Sequence, residues 1–146
     1  MRPPSSTLVV DAAILIAAVR GRSSGALIEA ARSANLVTTD RVVQEARRRI
    51  ALGLKQPELI EVLDALIGEM TIVPVAAFGP MLIEAEIALR DAVPSRNGST
   101  RDAHVVALAW GAEGDVWTTD RDFAGTGVAS WSTPNLMRAL ASVGAR

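Results

Sequence analysis

The sequence predicts an α/β fold: one domain, residues 1–146, on a parallel-stranded sheet of about five strands covered by helices on both faces. Three observations predict it. Apolar runs of four or five residues, rich in Val, Ile and Thr, recur along the chain and alternate with segments of helical period. These runs are too apolar for strands with one wet face, so each is expected to be buried on both sides. At 146 residues the chain also suits a single domain that buries a core without disulfide or metal staples.

Taken in order, TLVV (7–10) reads as the first strand, followed by a helix from Ala12 to about Arg20. SSGALIEAARSA gives a second helix with Ser23 or Ser24 as its cap. NLVT (35–38) is the second strand, and a helix over 40–52 follows with Val42, Val43, Ala46 and Ile50 as its apolar stripe. The segment 57–70 forms another helix, with Leu59, Leu63, Leu66 and Met70 on one side. TIVPV (71–75) is a short strand, and a helix over 79–93 turns Met81, Ala85, Ala88 and Leu89 inward. PSRNGST (94–100) is a polar loop. The helix over 100–112 is apolar enough to require burial on most sides. DVWTT (115–119) and GVASW (127–131) are the last two strands, and a final helix starts after Ser132 with Pro134 in its first turn.

Composition narrows the chemistry. With no cysteine and one histidine, His104, thiolate nucleophiles, Cys-ligated zinc and multi-His metal sites are excluded within one chain. A metal site would rest on oxygen ligands, which favours Mg²⁺ or Mn²⁺. The net charge of −1 does not announce a nucleic-acid binder, although the basic residues are 14 Arg and one Lys, Lys55. The N-terminal apolar run is interrupted by Asp11 and preceded only by Arg2, which does not suit a signal peptide. No run approaches the ~18 apolar residues of a membrane span. A cytoplasmic protein without membrane contact is expected.

Most of the sixteen acids read as solvated helix faces: Glu58, Glu61, Asp64 and Glu69, then Glu84, Glu86 and Asp91, with Glu29, Glu113 and Asp115 at exposed-looking positions. The remainder stand elsewhere. Asp11, Asp40 and Asp120 lie just past predicted strands, where ligands bind in parallel α/β sheets. Asp11 also suits a helix N-cap, and Asp102 suits compensation of a helix dipole, so both roles remain open for each. Asp120 and Asp122 crowd one strand end, where a cap needs only one acid. Glu45 sits at the border of an apolar stripe. The tetrapeptide TTDR occurs twice, at 38–41 and 118–121, each time after a strand. The first copy reads as a helix start at Asp40, setting Glu45 at the same sheet edge as the other acids. His104 lies two residues after Asp102, about 200° around the helix, and faces away from it. Trp110, Trp117 and Trp131 fall in buried-looking elements and read as core.

The order Asp11, Glu45, Asp102, Asp120 on these elements resembles the PIN-domain family of nucleases and, more narrowly, the VapC-type toxins of toxin–antitoxin pairs. VVDAAILIAAV resembles the family's opening strand, acid and helix, and RVVQEARRR its second-acid helix. RDAHVVALAWGAEGDVWTTDRDF resembles its most recognisable segment, an Asp that opens a helix followed by a strand ending in Thr-x-Asp-x-Asp-Phe. The resemblance spans essentially the whole chain. It implies that Asp11, Glu45, Asp102 and Asp120 are the catalytic acids. Asp11, Asp102, Asp120 and Asp122 would hold Mg²⁺ or Mn²⁺, and Thr118 would supply the hydroxyl that steadies the site. One departure stands out: the family commonly places Ser, Thr or Asn after the first Asp, and here Ala12 and Ala13 follow.

The implied activity is metal-dependent endonucleolytic hydrolysis of RNA, without a covalent intermediate. Arg96, Arg101 and Arg121 are candidate phosphate contacts, or ion-pair partners of the acids themselves. The resemblance also implies a VapB-type antitoxin and a homodimer. A hydrophobic fraction of 49% agrees, because the helical stretches at 12–19, 59–67 and 81–89 are more than this chain can bury alone. Competing readings are weaker. A phosphoacceptor domain needs a late-strand Lys, and Lys55 is in mid-chain. A haloacid-dehalogenase-type phosphatase needs Asp-x-Asp after the first strand, and no P-loop is present. The alternative of substance is a catalytically silent PIN-like module that only binds a partner.

Overall fold

The computed structural model describes residues 2–22, 24–90, 102–119, 123 and 126–144. Five parallel strands form one sheet: β1 (Thr7–Val10), β2 (Asn35–Thr39), β3 (Thr71–Val73), β4 (Asp115–Trp117) and β5 (Ser130–Trp131). Their order is β3-β2-β1-β4-β5. The register sets Val9 beside Val37 on one side and beside Val116 on the other. Among the described residues seven α-helices cover this sheet: α1 (Ala12–Val19), α2 (Ser24–Ser33), α3 (Asp40–Arg48), α4 (Ile60–Ile67), α5 (Pro80–Arg90), α6 (Ala103–Ala112) and α7 (Thr133–Gly144).

The strand order decides where a ligand site belongs. From β1 to β3 the chain steps outward in one direction. After β3 it crosses back to the far side of β1. Parallel crossovers are right-handed, so reversing the direction puts α5 and α6 on the face opposite α1, α3 and α4. The crevice between oppositely directed crossovers opens at the carboxyl ends of β1 and β4, the topological switch point of this sheet.

Burial follows the apolar pattern. Leu8, Val9 and Val10 are fully buried, as are Val42, Ala46 and Ile50 along the predicted stripe of α3. The helix that begins with α3 is not one regular run over 40–52. After Arg48 it widens into a π-helical turn, Arg49–Gly53, closed by the Leu54 amide on the Arg49 carbonyl at 2.8 Å. The predicted 57–70 helix begins as a 3₁₀ turn with Pro57 at its start and is α-helical only over α4. Within its stripe Leu63 is buried, while Leu59, Leu66 and Met70 are half-buried. On α5, Ala85 and Leu89 are buried as expected. Helix α1 ends in a Schellman motif: Arg22 donates to the Ala17 carbonyl and Gly21 to that of Ala18, with Gly21 at φ +80°.

Strand β3 stops at Val73 rather than reaching Val75, because Pro74 has no amide to donate and the Val75 amide goes to the Asp40 side chain at 2.9 Å. Two expectations are corrected by burial. Asp115 is not exposed but 4% accessible, and its carboxylate accepts from the Arg2 guanidinium, the Ser5 amide and the Trp131 indole at 2.7–2.9 Å. It fastens the N-terminal segment and β5 onto β4. The 12–19 stretch does not supply surface apolarity, since six of the eight residues of α1 are buried. The three tryptophans divide: Trp117 is fully buried, while Trp110 and Trp131 are half-buried with bonded indoles.

Candidate functional site at the carboxyl ends of β1 and β4

Asp11 leaves β1 where the strand ends and α1 begins. Its backbone amide still donates to the Trp117 carbonyl of β4 at 3.1 Å, so the residue is locked to the neighbouring strand. Its side chain is half-buried. One oxygen, Oδ1, accepts from the Ala12 amide at 2.8 Å, so the expected N-cap role is real. The other, Oδ2, accepts from the Thr118 hydroxyl at 2.9 Å. Thr118 is 2% accessible and its own amide donates to the Trp131 carbonyl at 3.0 Å. Three strands thus hold one carboxylate at the switch point. A cap function alone accounts for Oδ1 but gives no reason for a buried hydroxyl aimed at Oδ2.

Glu45 lies on α3 beside the buried Val42 and Ala46 and is itself half-exposed. Arg49, one turn on, approaches it at 3.9 Å, a contact at the edge of ion pairing between two solvated groups. Asp102 is the N-cap residue of α6 and is half-buried, yet its carboxylate makes no capping hydrogen bond to that helix. A side-chain cap is therefore not how this carboxylate is used. Dipole compensation remains available to it. Asp120, Asp122, Arg96, Arg101 and Arg121 lie outside the described residues. Among the described residues no three acidic or imidazole side chains are grouped closely enough to hold a metal ion. The donor chemistry nonetheless fits a hard cation: the groups are carboxylates, and of about four acceptor positions on Asp11 two are accounted for by Ala12 and Thr118.

The first TTDR copy starts a helix at Asp40, as its position implies, and the structure adds how that start is built. The side chain that caps α3 is Thr39, whose hydroxyl accepts from the Val42 amide at 3.0 Å; Asp40 is the first helical residue and spends its carboxylate on Val75. Thr38 donates to the Val10 carbonyl at 2.8 Å, one residue before Asp11. Thr39 also shares a 2.9 Å hydrogen bond with His104 Nδ1, both side chains being buried. The structure turns His104 toward the carboxyl end of β2, where it meets Thr39. Each of the three residues Thr38, Thr39 and Asp40 therefore ties β2 to a different neighbour. Sequence reading missed this because the partners lie 28 to 65 residues away in the chain.

Arg47 is paired with Asp64 of α4. Apolar surface is present on the opposite face of the sheet. A cleft of about 270 Å³ runs between β3, α5 and α6, lined by residues including Val73, Phe78, Met81 and Leu108. Ile72, Ile83 and Ile87 of β3 and α5 are exposed. No described helix is long and apolar enough to cross a membrane.

Residues 9–141 match the family model of the PIN domain. No curated protein is significantly similar in sequence. Among solved structures, a chain of VapBC2 from Rickettsia felis, crystallised bound to a DNA fragment from their promoter, is similar with TM-score 0.65 at 13% identity, over 86% of this chain and 98% of that one. PAE2754 from Pyrobaculum aerophilum is similar with TM-score 0.64 at 15% identity, over 93% of this chain and 96% of that one. At such identities the likeness establishes a shared fold.

Proposed function

The chain belongs to the PIN domain family, and from that premise we propose that it is a divalent-metal-dependent endoribonuclease acting as the toxin of a type II toxin–antitoxin pair. The observation that carries the reading is the Asp11–Thr118 contact: a half-buried carboxylate held by a strand-end hydroxyl at the switch point of the sheet. Asp11, Asp102, Asp120 and Asp122 would hold Mg²⁺ or Mn²⁺, with Glu45 completing the catalytic set. The ion supplies a Lewis acid for charge that builds on the phosphate oxygens during in-line displacement.

The chain's own residues supply the rest. Thr118 and the Ala12 amide orient the Asp11 carboxylate. Both contacts form without a hydroxyl at position 12 or 13, which supports activity despite that departure from the family pattern. Glu45, half-exposed on α3, would accept a proton from the attacking water. Arg96, Arg101 and Arg121 are assigned to the RNA phosphates, where a protein of net charge −1 needs local positive charge. The exposed Ile83 and Ile87, with the adjoining apolar cleft, suit burial against a partner. We assign that surface to a VapB-type antitoxin or a second copy in a homodimer. The VapBC2 likeness supports the first. The proposed place of action is the cytoplasm.

The test is cleavage of RNA by partner-free protein, paired with Mn²⁺ titration by calorimetry, for wild type and Asp11→Asn. Cleavage and binding in wild type, both lost in the variant, are expected. If wild type does neither, the chain is a silent partner-binding module instead.

A further inference from the structure

Helix α6 is apolar and buried over most of its length. Ala103 and Val105 to Ala109 are all at most 5% accessible. His104 interrupts this run at 6% accessibility. Burying an imidazole costs free energy that an aliphatic side chain would not, and the cost is tolerable only with hydrogen bonds made. A departure of this kind from local pattern is expected where geometry has to be specified rather than merely stabilised. One bond it makes is to Thr39, which is fully buried and is at once the last residue of β2 and the cap of α3.

The topology gives the bond its meaning. Helices α3 and α6 lie on opposite faces of the sheet, and the Thr39–His104 contact passes between their N-terminal ends at the end of β2. Glu45 is six residues beyond Thr39 on α3, and Asp102 is two residues before His104. Next door, Thr38 holds the Val10 carbonyl at 2.8 Å, immediately before Asp11. We infer that the buried Thr39–His104 pair is a positioning contact that fixes the N-terminal ends of α3 and α6, and through them Glu45 and Asp102, relative to Asp11. This rests on the nuclease reading for its purpose but not for its geometry. His104 acts through the backbone of α6 and touches neither RNA nor metal.

The test uses two matched pairs in the full chain. His104→Leu removes the hydrogen bond, while His104→Asn places an amide where Nδ1 stood. Thr39→Val removes the hydroxyl, while Thr39→Ser keeps it. Mn²⁺ affinity is read by calorimetry, and crystal structures of wild type and the position-104 variants are compared. His104→Leu and Thr39→Val are expected to weaken Mn²⁺ binding by about tenfold or more while remaining folded. The Asn and Ser variants should bind like wild type. In His104→Leu the Asp102–Asp11 separation should change by on the order of 1 Å, a displacement large enough to matter for catalysis. An unchanged separation together with unchanged affinity in His104→Leu overturns the inference. If His104→Leu does not fold, the affinities of the Thr39 pair decide, and equal binding by Val and Ser overturns it. Should wild type itself bind no Mn²⁺, the nuclease reading fails, and the crystal structures alone decide whether the contact positions the two helices.

Discussion

The Thr118 hydroxyl donates to Asp11 Oδ2 at 2.9 Å, joining residues 107 apart in sequence across the ends of β4 and β1. The contact is between a buried side chain and a half-buried one, at the point where the crossover direction reverses. Its consequence for chemistry is orientation: a hydroxyl that holds one carboxylate oxygen limits how the other can turn.

Replacing the hydroxyl should therefore cost activity more than stability. Thr118→Val is expected to lower RNA cleavage about 10- to 100-fold, the usual effect of losing a group that orients a ligand. Thr118→Ser should retain most of it. Steady-state cleavage with thermal unfolding monitored in parallel checks this; equal activity in Val and Ser variants would count against the orienting role.

The two TTDR copies should respond differently. Asp40→Ala leaves the Val75 amide without its acceptor and is expected to cost about 1–3 kcal/mol of stability. Asp40→Asn keeps an oxygen at that position and should be milder. Neither change should abolish cleavage, whereas Asp120→Asn should reduce it by orders of magnitude. Urea unfolding and cleavage assays on the three variants separate these outcomes.

Asp115 predicts a purely structural effect. Asp115→Ala strands the half-buried Ser5 amide and Trp131 indole, at about 1–3 kcal/mol in all, and frees Arg2. Urea unfolding should move to lower concentration, and tryptophan fluorescence should report a more solvated Trp131. Mn²⁺ affinity at temperatures where the variant is folded should be unaffected.

Gly114 is a second structural position. A Cβ there would stand 2.8 Å from the Thr7 carbonyl oxygen, a backbone atom that cannot swing away. Gly114→Ala is expected to destabilise by about 1–3 kcal/mol through displacement of β1 against the α6–β4 turn. Thermal unfolding measures it directly.

What the sequence made legible was whatever local period and strand-end position encode. All five strands and the inward faces of α3 and α5 follow from apolar spacing, and Asp11 falls at a strand end because a strand precedes it. The roles of Asp115, His104 and Asp40 were not legible. Asp115 follows a turn glycine and looks solvated, but its partners are Arg2, Ser5 and Trp131, brought together only by the sheet. Asp40 reads as a helix start, which it is, but nothing local shows that Thr39 caps that helix and leaves the Asp40 carboxylate for the Val75 amide just past β3. His104 offered one local hint, a polar residue inside an apolar helix, though nothing local named Thr39 as its partner. The departures of β3 and of the 40–52 helix have local causes, a proline without an amide and a π turn, that shorten elements without moving them.

Metal-dependent RNA hydrolysis is tested most directly by cleavage of an end-labelled RNA pool with purified, partner-free protein in Mn²⁺ and in EDTA. Discrete cleavage products in Mn²⁺ and intact RNA in EDTA are expected. Intact RNA in both, or cleavage that EDTA leaves unchanged, would contradict metal-dependent hydrolysis.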